Sequence, residues 1–250
     1  EVLSSEQISV GPPFYNKLII PFLIPFLLAM AIGPKLKWIK SNLQNKFNLI
    51  LFLIISLLLS LFITQNLNSG FLTNTVLIAS AFYLFFITLR DFISKKFRNL
   101  SQNISHFGFS LLILSILLNN IFSKEIITNL KIGESFQSQD FKINFEKIVE
   151  KDRQNFKSII GTFNIENFKG TIEILKPELR IYNQPNIVTS EADIKTNILT
   201  DKFMTMNLVQ NQEYLNIRYQ VKPLMIWIWI SVLLISFGGL LSLFKKKYEN

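Results

Sequence analysis

Five stretches of the chain are long and almost purely apolar, and none of them contains Lys, Arg, Asp or Glu. They cover residues 18–33, 47–63, 71–89, 104–122 and 224–244. A helix needs roughly 20 mostly apolar residues to cross the ~30 Å hydrocarbon core of a bilayer, so each stretch predicts a transmembrane helix. Pro21 and Pro25 lie inside the first stretch, where neighbouring helices can satisfy the carbonyls that a proline frees.

The segment between the fourth and fifth stretches has a different period. Apolar and polar residues alternate in it, which is typical of half-buried β-strands. The alternation covers residues 141–148, 170–175, 179–182, 203–209 and 214–221. Strand breaks are expected at Gly161, Gly170, Pro177 and Pro185. Short strands at this spacing predict a small antiparallel sandwich or barrel of about 100 residues.

Together these patterns predict a mostly α membrane protein with five transmembrane helices. An extramembrane β-rich domain, sandwich or barrel-like, is inserted between helices four and five. The predicted parts are a four-helix transmembrane region at 1–122, the β-rich domain at 123–222, and the fifth helix with a basic tail at 223–250. The composition agrees, since 49% of the 250 residues are hydrophobic, 24 are Phe and the mean hydropathy is +0.33.

The net charge of +9 would suggest a nucleic-acid partner in a soluble protein, so its distribution matters. Basic residues gather after the first, third and fifth helices: Lys35, Lys37, Lys40 and Lys46, then Arg90, Lys95, Lys96 and Arg98, then Lys245, Lys246 and Lys247. The loop at 64–70 on the opposite side carries no charge. The positive-inside rule therefore places the N-terminus and residues 123–222 outside, and the C-terminus in the cytoplasm or matrix. That outer segment has 14 basic and 13 acidic residues, so the excess charge indicates topology and not nucleic-acid binding.

The chain has no Cys and one His, which excludes several kinds of site. Without Cys there is no disulfide, thiolate metal site or thiol nucleophile. A metal site built only from this chain's imidazoles is excluded as well. Because the chain begins at Glu1 without a visible signal sequence, we expect a fragment or a processed product.

The single histidine, His106, is the sharpest candidate for chemistry. It stands about one turn inside the predicted cytoplasmic end of the fourth helix. Ionisable residues inside a membrane are uncommon and usually face protein, a cavity or a cofactor. Imidazole is also a standard axial ligand of haem iron. From composition alone, however, a histidine that is hydrogen-bonded to a neighbouring helix, or that lies in the headgroup region, is the commoner case.

Two other features of the helices have structural explanations. Trp227 and Trp229 open the fifth helix and indicate an aromatic belt at the outer interface. Gly238 and Gly239 in the same helix indicate close helix packing. Gly108, two residues after His106, could leave room for a flat ligand, although glycine is common in membrane helices.

Several blocks of sequence resemble the CcmF/NrfE family of cytochrome c biogenesis proteins, which contains the haem lyase subunit of cytochrome c maturation. They occur in the family's order over essentially the whole chain and match the C-terminal part of the family. The blocks are residues 8–16 (ISVGPPFYN), 31–38 (AIGPKLKW), 105–109 (SHFGF), 176–182 (KPELRIY), 189–196 (TSEADIKT), 222–230 (KPLMIWIWI) and 238–241 (GGLL).

The resemblance implies that His106 is one of two histidine axial ligands of a membrane-buried haem b, and it favours this role over a structural one. It also implies that haem arrives from holo-CcmE and is joined to apocytochrome c, with CcmH/CcmI-like apocytochrome chaperones as further partners. The membrane would be a bacterial or mitochondrial inner membrane.

The family's Trp-rich outer motif, its two flanking histidines and its first transmembrane histidine are absent from this sequence, because they belong to the N-terminal part of CcmF. We therefore expect the chain to be part of a haem lyase and not sufficient alone for the thioether chemistry. The alternative is a non-catalytic assembly or transport subunit of an energy-converting membrane complex, with a structural His106.

The topology can be tested with epitope tags. A tag in the β-rich segment should be accessible from the periplasm or intermembrane space, whereas a tag after Asn250 should not, because the basic loops hold that side inward. Protease protection of the two tagged forms in sealed membranes measures this. Cleavage of both tags from the same side would contradict five crossings.

Overall fold

The computed structural model describes residues 12–35, 46–65, 70–94, 100–167, 170–209 and 214–245. Five α-helices are long and apolar enough to cross a membrane, which confirms the predicted number within the described part of the chain. They are α1 (Pro12–Ile32), α2 (Lys46–Thr64), α3 (Phe71–Ile93), α4 (Leu100–Phe122) and α5 (Met225–Lys245). A single 3-10 turn, Gly33–Lys35, follows α1.

The helices extend beyond the apolar stretches at the polar ends. α3 continues to Ile93 and so includes Arg90 and Asp91, whereas the stretch without charges ends at residue 89. α4 begins at Leu100, four residues before the predicted start. An apolar stretch marks only the part of a helix that can lie in the hydrocarbon. The backbone hydrogen bonds of the helix continue into the polar residues on either side. His106 consequently lies six residues into α4, about 9 Å along its axis.

Small hydroxyl side chains join neighbouring helices. Thr64 of α2 and Thr75 of α3 share a buried hydrogen bond of 2.8 Å. Thr88 of α3 and Ser110 of α4 share another of 2.6 Å. In each pair one hydroxyl donates to the other, and the accepting hydroxyl is left to donate to a carbonyl of its own helix, as Thr88 can to Leu84. Such pairs keep every polar atom satisfied away from water.

Ten β-strands lie between α4 and α5 and form the predicted inserted domain. They are β1 (Lys124–Leu130), β2 (Ser135–Gln137), β3 (Phe141–Asp152), β4 (Phe156–Asn167), β5 (Ile172–Leu175), β6 (Glu178–Tyr182), β7 (Ile187–Glu191), β8 (Asp193–Thr196), β9 (Thr200–Leu208) and β10 (Leu215–Pro223). One sheet has the order β1-β10-β9-β8, and the other has the order β2-β3-β4-β6-β7 with β5 also paired to β4. All pairings are antiparallel.

The inward faces of the two sheets form one apolar core. Phe145 and Phe163 stack with ring centroids 4.4 Å apart, and Phe141 meets Tyr219 edge to face at 4.9 Å. The other fully buried members of this core include Ile143, Ile165, Leu175, Leu179, Met204, Met206 and Ile217. Burial of large side chains in this number is what stabilises a domain of this size.

Gly161 was expected to break a strand, and that expectation is wrong. It lies inside β4, one of the two longest strands of the domain. A Cβ at this position would lie 2.6 Å from a ring carbon of Phe163 and 2.9 Å from the sulfur of Met206. The glycine therefore makes room for the core, which is a known reason for glycine in a strand. Gly170, Pro177 and Pro185 do lie between strands.

The strand that enters the domain and the strand that leaves it are paired to each other. Lys124 of β1 lies opposite Val221 of β10, and the ladder continues to Leu130 and Leu215. At the same end the side-chain amide of Asn119, in the last turns of α4, donates a hydrogen bond to the carbonyl of Pro223. The end of α4 and the start of α5 are thus held together inside the domain's own hydrogen-bond network.

One ion pair joins the two sheets. Lys202 lies on the same face of β9 as Met204, and Glu173 lies on the same face of β5 as Leu175. The Lys202 ammonium is 2.5 Å from the Glu173 carboxylate, and the side chains of Lys202 and Glu173 are 11% and 25% exposed. Burial raises the pKa of the Tyr219 hydroxyl, and the charge of Glu173 raises it further. A pair this sheltered stabilises the fold only while both charges are present.

Removing one partner should therefore cost much more than removing the pair. We expect Glu173→Ala to lower the free energy of unfolding by about 2–3 kcal/mol, because it leaves the Lys202 ammonium unpaired. The double variant Glu173→Leu with Lys202→Met should recover most of that loss. Denaturant titration of the full chain in detergent micelles measures both.

Glu150→Ala is the matched control. Glu150 pairs with Lys157 on the surface, where the side chains are 57% and 44% exposed. Its removal should cost less than about 1 kcal/mol. Equal losses for Glu173→Ala and Glu150→Ala would show that the inter-sheet pair contributes nothing special.

Candidate functional site

His106 lies on the least covered face of α4. Gln102, Ile116 and Asn120 share this face at helical spacing and are exposed, whereas His106 itself is partly buried. The opposite face of α4, which includes Leu111 and Ser115, is buried. The helix therefore presents its one imidazole on a side that the described helices leave open.

The imidazole of His106 makes no hydrogen bond to the described residues. Within the described part of the chain, neither of its ring nitrogens has a hydrogen-bond partner. Asp91 is close enough for its charge to act on the ring. The structural alternative for His106, a hydrogen bond to a neighbouring helix, is thus not seen among the described residues.

A polar contact among Lys35, Asp91 and Asn103 joins α1, α3 and α4 near the start of α4. The ammonium of Lys35, just after α1, lies 2.8 Å from both carboxylate oxygens of Asp91 in α3. The backbone carbonyl of Asp91 also accepts a hydrogen bond of 3.1 Å from the side-chain amide of Asn103 in α4. The Asp91 side chain is 38% exposed, so this contact is only partly sheltered from solvent. The contact fixes the start of α4 relative to α1 and α3.

Aromatic contacts on both sides of His106 fix the rotation of α4. The ring of Phe107 stacks on Phe92 with centroids 5.0 Å apart and an interplanar angle of 11°, and it also contacts Phe85. Phe109 meets Phe26 of α1 edge to face at 6.3 Å. Because Phe107 is held by α3 and Phe109 by α1, the direction in which His106 leaves the helix is determined.

Two glycines bring α4 and α5 into backbone contact. A Cβ on Gly108 would lie 3.0 Å from the backbone nitrogen of Ile235 in α5. A Cβ on Gly238 would lie 2.8 Å from the backbone nitrogen of Ser105 and 2.9 Å from the carbonyl oxygen of Ser101. The packing predicted for Gly238 is therefore present, whereas Gly239 has nothing within 4 Å of such an atom. Gly108 serves this helix contact and not a ligand.

Two of the blocks that carry the family resemblance lie side by side in the β domain. Residues 176–182 contain β6, and residues 189–196 contain the second part of β7, which pairs with β6 and places Glu178 opposite Glu191. Arg180 donates hydrogen bonds of 3.1 and 3.2 Å to Glu178 and lies 3.8 Å from Glu191. The guanidinium of Arg180 holds the pKa of Glu178 below its usual range. The carboxylate of Asp193 accepts a hydrogen bond of 2.6 Å from the backbone N–H of Lys176.

Two further groups of residues singled out in the sequence are the tryptophans of α5 and the residues that lie outside the described part of the chain. Trp229 is 66% exposed at the start of α5, and the indole N–H of Trp227 is hydrogen-bonded to a carbonyl of the β domain. Several predicted residues lie outside the described part of the chain, namely Trp38, the first part of the 8–16 block, Lys37, Lys40, Lys95, Lys96, Arg98, Lys246 and Lys247. The Lys35–Asp91–Asn103 contact was not predicted from sequence, where its only signal is an acidic residue two positions after the end of an apolar stretch.

Comparisons with known proteins agree on one family. The model of the family described as "CcmF C-terminal beta-sandwich" matches residues 121–223. The chain is 26% identical over 257 residues to the cytochrome c-type biogenesis protein CcmF of Escherichia coli (strain K12), covering 99% of this chain and 40% of that protein. It is 25% identical over 266 residues to the cytochrome c-type biogenesis protein NrfE of Haemophilus influenzae, covering 100% of this chain and 41% of that one.

A solved structure has the same fold. The chain superposes on a structure titled "Cytochrome c Heme Lyase CcmF" with a TM-score of 0.72 and 20% sequence identity, covering 92% of this chain and 40% of that one. This likeness concerns the fold alone. The chain thus spans about two fifths of the length of the curated relatives that it matches.

The helix contact beside His106 can be tested with the two adjacent glycines. Gly238→Ala should push α5 away from α4, because its methyl group meets backbone atoms, and overpacking of this kind typically costs about 1–3 kcal/mol. Gly239→Ala should have little effect. Thermal unfolding of both variants in lipid nanodiscs measures the difference, and equal melting temperatures would contradict the close approach at Gly238.

Proposed function

We propose that the chain, which is similar to the C-terminal part of CcmF proteins, works in cytochrome c maturation as one part of a haem lyase. Its role there is to supply His106 as an axial ligand of haem b within the membrane. The observation that carries this proposal is the position of His106, which has a ring without a hydrogen-bond partner among the described residues and lies on the open face of α4.

The residues around His106 fit such a group. A haem held by two imidazoles needs a second histidine, and this chain contains only one. The uncovered face of α4 is where a helix from the N-terminal part of CcmF could bring that second ligand. When bound, this haem would supply a bis-imidazole iron centre within the membrane, whereas the haem that is joined to apocytochrome c arrives from holo-CcmE. The flanking Phe109 and Ile113 provide apolar surface beside it.

The rest of the transmembrane unit positions the imidazole. Phe107 and Phe109 lock the rotation of α4, and the glycine contacts with α5 set its distance from that helix. The Lys35–Asp91 pair neutralises the charge of the Asp91 carboxylate near the end of α3. A ligand fixed in this way loses little freedom when it binds, which raises affinity.

The β domain would lie in the periplasm or intermembrane space of a bacterial or mitochondrial inner membrane, with the N-terminus on the same side. It would stand beside the site where haem from holo-CcmE meets apocytochrome c, which CcmH/CcmI-like chaperones present. The uncharged 64–70 loop and the basic segments on the other side support this orientation. The paired blocks at β6 and β7 are the candidate surface for these partners.

The test is His106→Ala in the complex assembled with the N-terminal part. Haem occupancy should fall on the order of tenfold, or the low-spin spectrum should shift, because a bis-imidazole iron loses one ligand. Gln102→Ala is the control, since it lies on the same face one turn away and is exposed. Absorption spectra of the purified complexes measure both.

A second variant separates ligand loss from misfolding. In His106→Gly, added imidazole should restore part of the spectrum, because the vacated space admits a free ligand. Full haem content with an unchanged spectrum in both His106 variants would mean that the iron is ligated elsewhere. The chain would then be better described as a non-catalytic assembly subunit.

A further inference from the structure

The turn between β8 and β9 has an unusual composition. The backbone N–H of Asn197 donates a hydrogen bond of 2.9 Å to the carbonyl of Thr200, which closes a four-residue turn. Its two central residues are Ile198 and Leu199, whose side chains are 68% and 65% exposed. Tight turns in water favour Gly, Pro, Asn, Asp and Ser at such positions. Two large adjacent aliphatic side chains at a turn tip therefore need another explanation.

The turn is hydrogen-bonded to the start of the fifth transmembrane helix. The backbone N–H of Leu224 donates to the carbonyl of Leu199 at 2.8 Å, and the indole N–H of Trp227 donates to the carbonyl of Ile198 at 2.9 Å. The apolar span of α5 begins at Met225. Tryptophan at the end of a span sits at the membrane–water interface. The turn is thus held at the depth where α5 enters the bilayer.

The same bonds prepare the turn for a medium with little water. Backbone carbonyls are costly to bury when they lack a donor. The carbonyls of Ile198, Leu199 and Thr200 each have one in the structure. Lipid contact at the turn therefore leaves none of these three carbonyls without a partner.

The basic residues near the turn suit a phospholipid surface. Lys195 is exposed on β8, two residues before the turn begins. The ammonium of Lys222 lies 5.9 Å from the ring centroid of Phe203, near the strand end that faces the turn. Long basic side chains of this kind keep their stems on apolar surface and extend their charge towards phosphate.

We propose that Ile198 and Leu199 insert into the bilayer interface beside α5 and form a second membrane contact of the β domain. The occupant is lipid, at the level of the headgroups and the first carbons of the acyl chains. This contact is independent of haem and of His106. It holds the sheet edge β8–β9 against the membrane, so the domain has a third fixed point besides its two covalent connections.

The absence of Cys from the chain allows a direct test, since any introduced Cys is unique. Ile198→Cys and Leu199→Cys are each labelled with an environment-sensitive fluorophore, in the full chain reconstituted into phospholipid nanodiscs. Nitroxide-labelled phospholipids should quench both labels severalfold more strongly than aqueous iodide does.

Ile132→Cys is the matched control. Ile132 is 56% exposed in the turn after β1, at the end of the sheet opposite the β8–β9 turn. Its label should be quenched by iodide and not by the lipid quencher. The two test positions also serve as independent variants, should one of them impair folding.

Three patterns of quenching are informative. Lipid quenching at 198 and 199 but not at 132 supports the proposal. Iodide quenching at all three positions overturns it, because the turn would be in water. Protection of positions 198 and 199 from both quenchers also overturns it, because protein and not lipid would then cover the turn.

Discussion

The β domain depends on the pairing of its first strand with its last. Lys124 and Val221 are opposite each other, so the chain leaves α4 and returns to α5 through two neighbouring strands. The remaining strands are additions to this pair or to the sheet packed against it. The Asn119–Pro223 hydrogen bond reinforces the junction on the helical side. A domain inserted into a membrane protein needs such a closed base, because its two ends are not free to separate.

The helices of this fold could be predicted from sequence, because membrane crossing requires a length and an apolarity that few other segments have. Their polar ends could not, since Asp91 of α3 pairs with Lys35, which is 56 positions away. In the β domain, alternation identified the strands with one buried face. It missed β1, β2, β7 and β8. It also missed β4, whose inner face contains Gly161 and whose sequence Ile159-Ile160 does not alternate.

Part of the candidate site could also be anticipated. A lone histidine in an apolar helix is conspicuous, so composition made His106 a candidate, and the resemblance of short sequence blocks favoured a ligand role over a structural one. The structure adds three features that arise only when the helices pack together. They are the open face of α4, the stack of Phe107 on Phe92, and the backbone contacts of Gly108 and Gly238. These depend on residues that are distant in sequence. Gly108 illustrates the limit, since its neighbour in space is Ile235 and not a ligand.

The contact between α4 and α5 has a consequence for the order in which this protein assembles. Ser105 and Ile235, whose hydroxyl and carbonyl meet, are 130 positions apart. Closing so long a loop in a disordered chain is entropically unfavourable and slow. Once β1 and β10 have paired, Lys124 and Val221 are neighbours. Only the chain from Ser105 to Lys124 and the chain from Val221 to Ile235 then separate the two contacting residues. We therefore expect the β domain to fold before α5 packs against α4. Substitutions that destabilise the sandwich core should consequently leave α5 incompletely packed against α4, even when all five helices are inserted in the membrane.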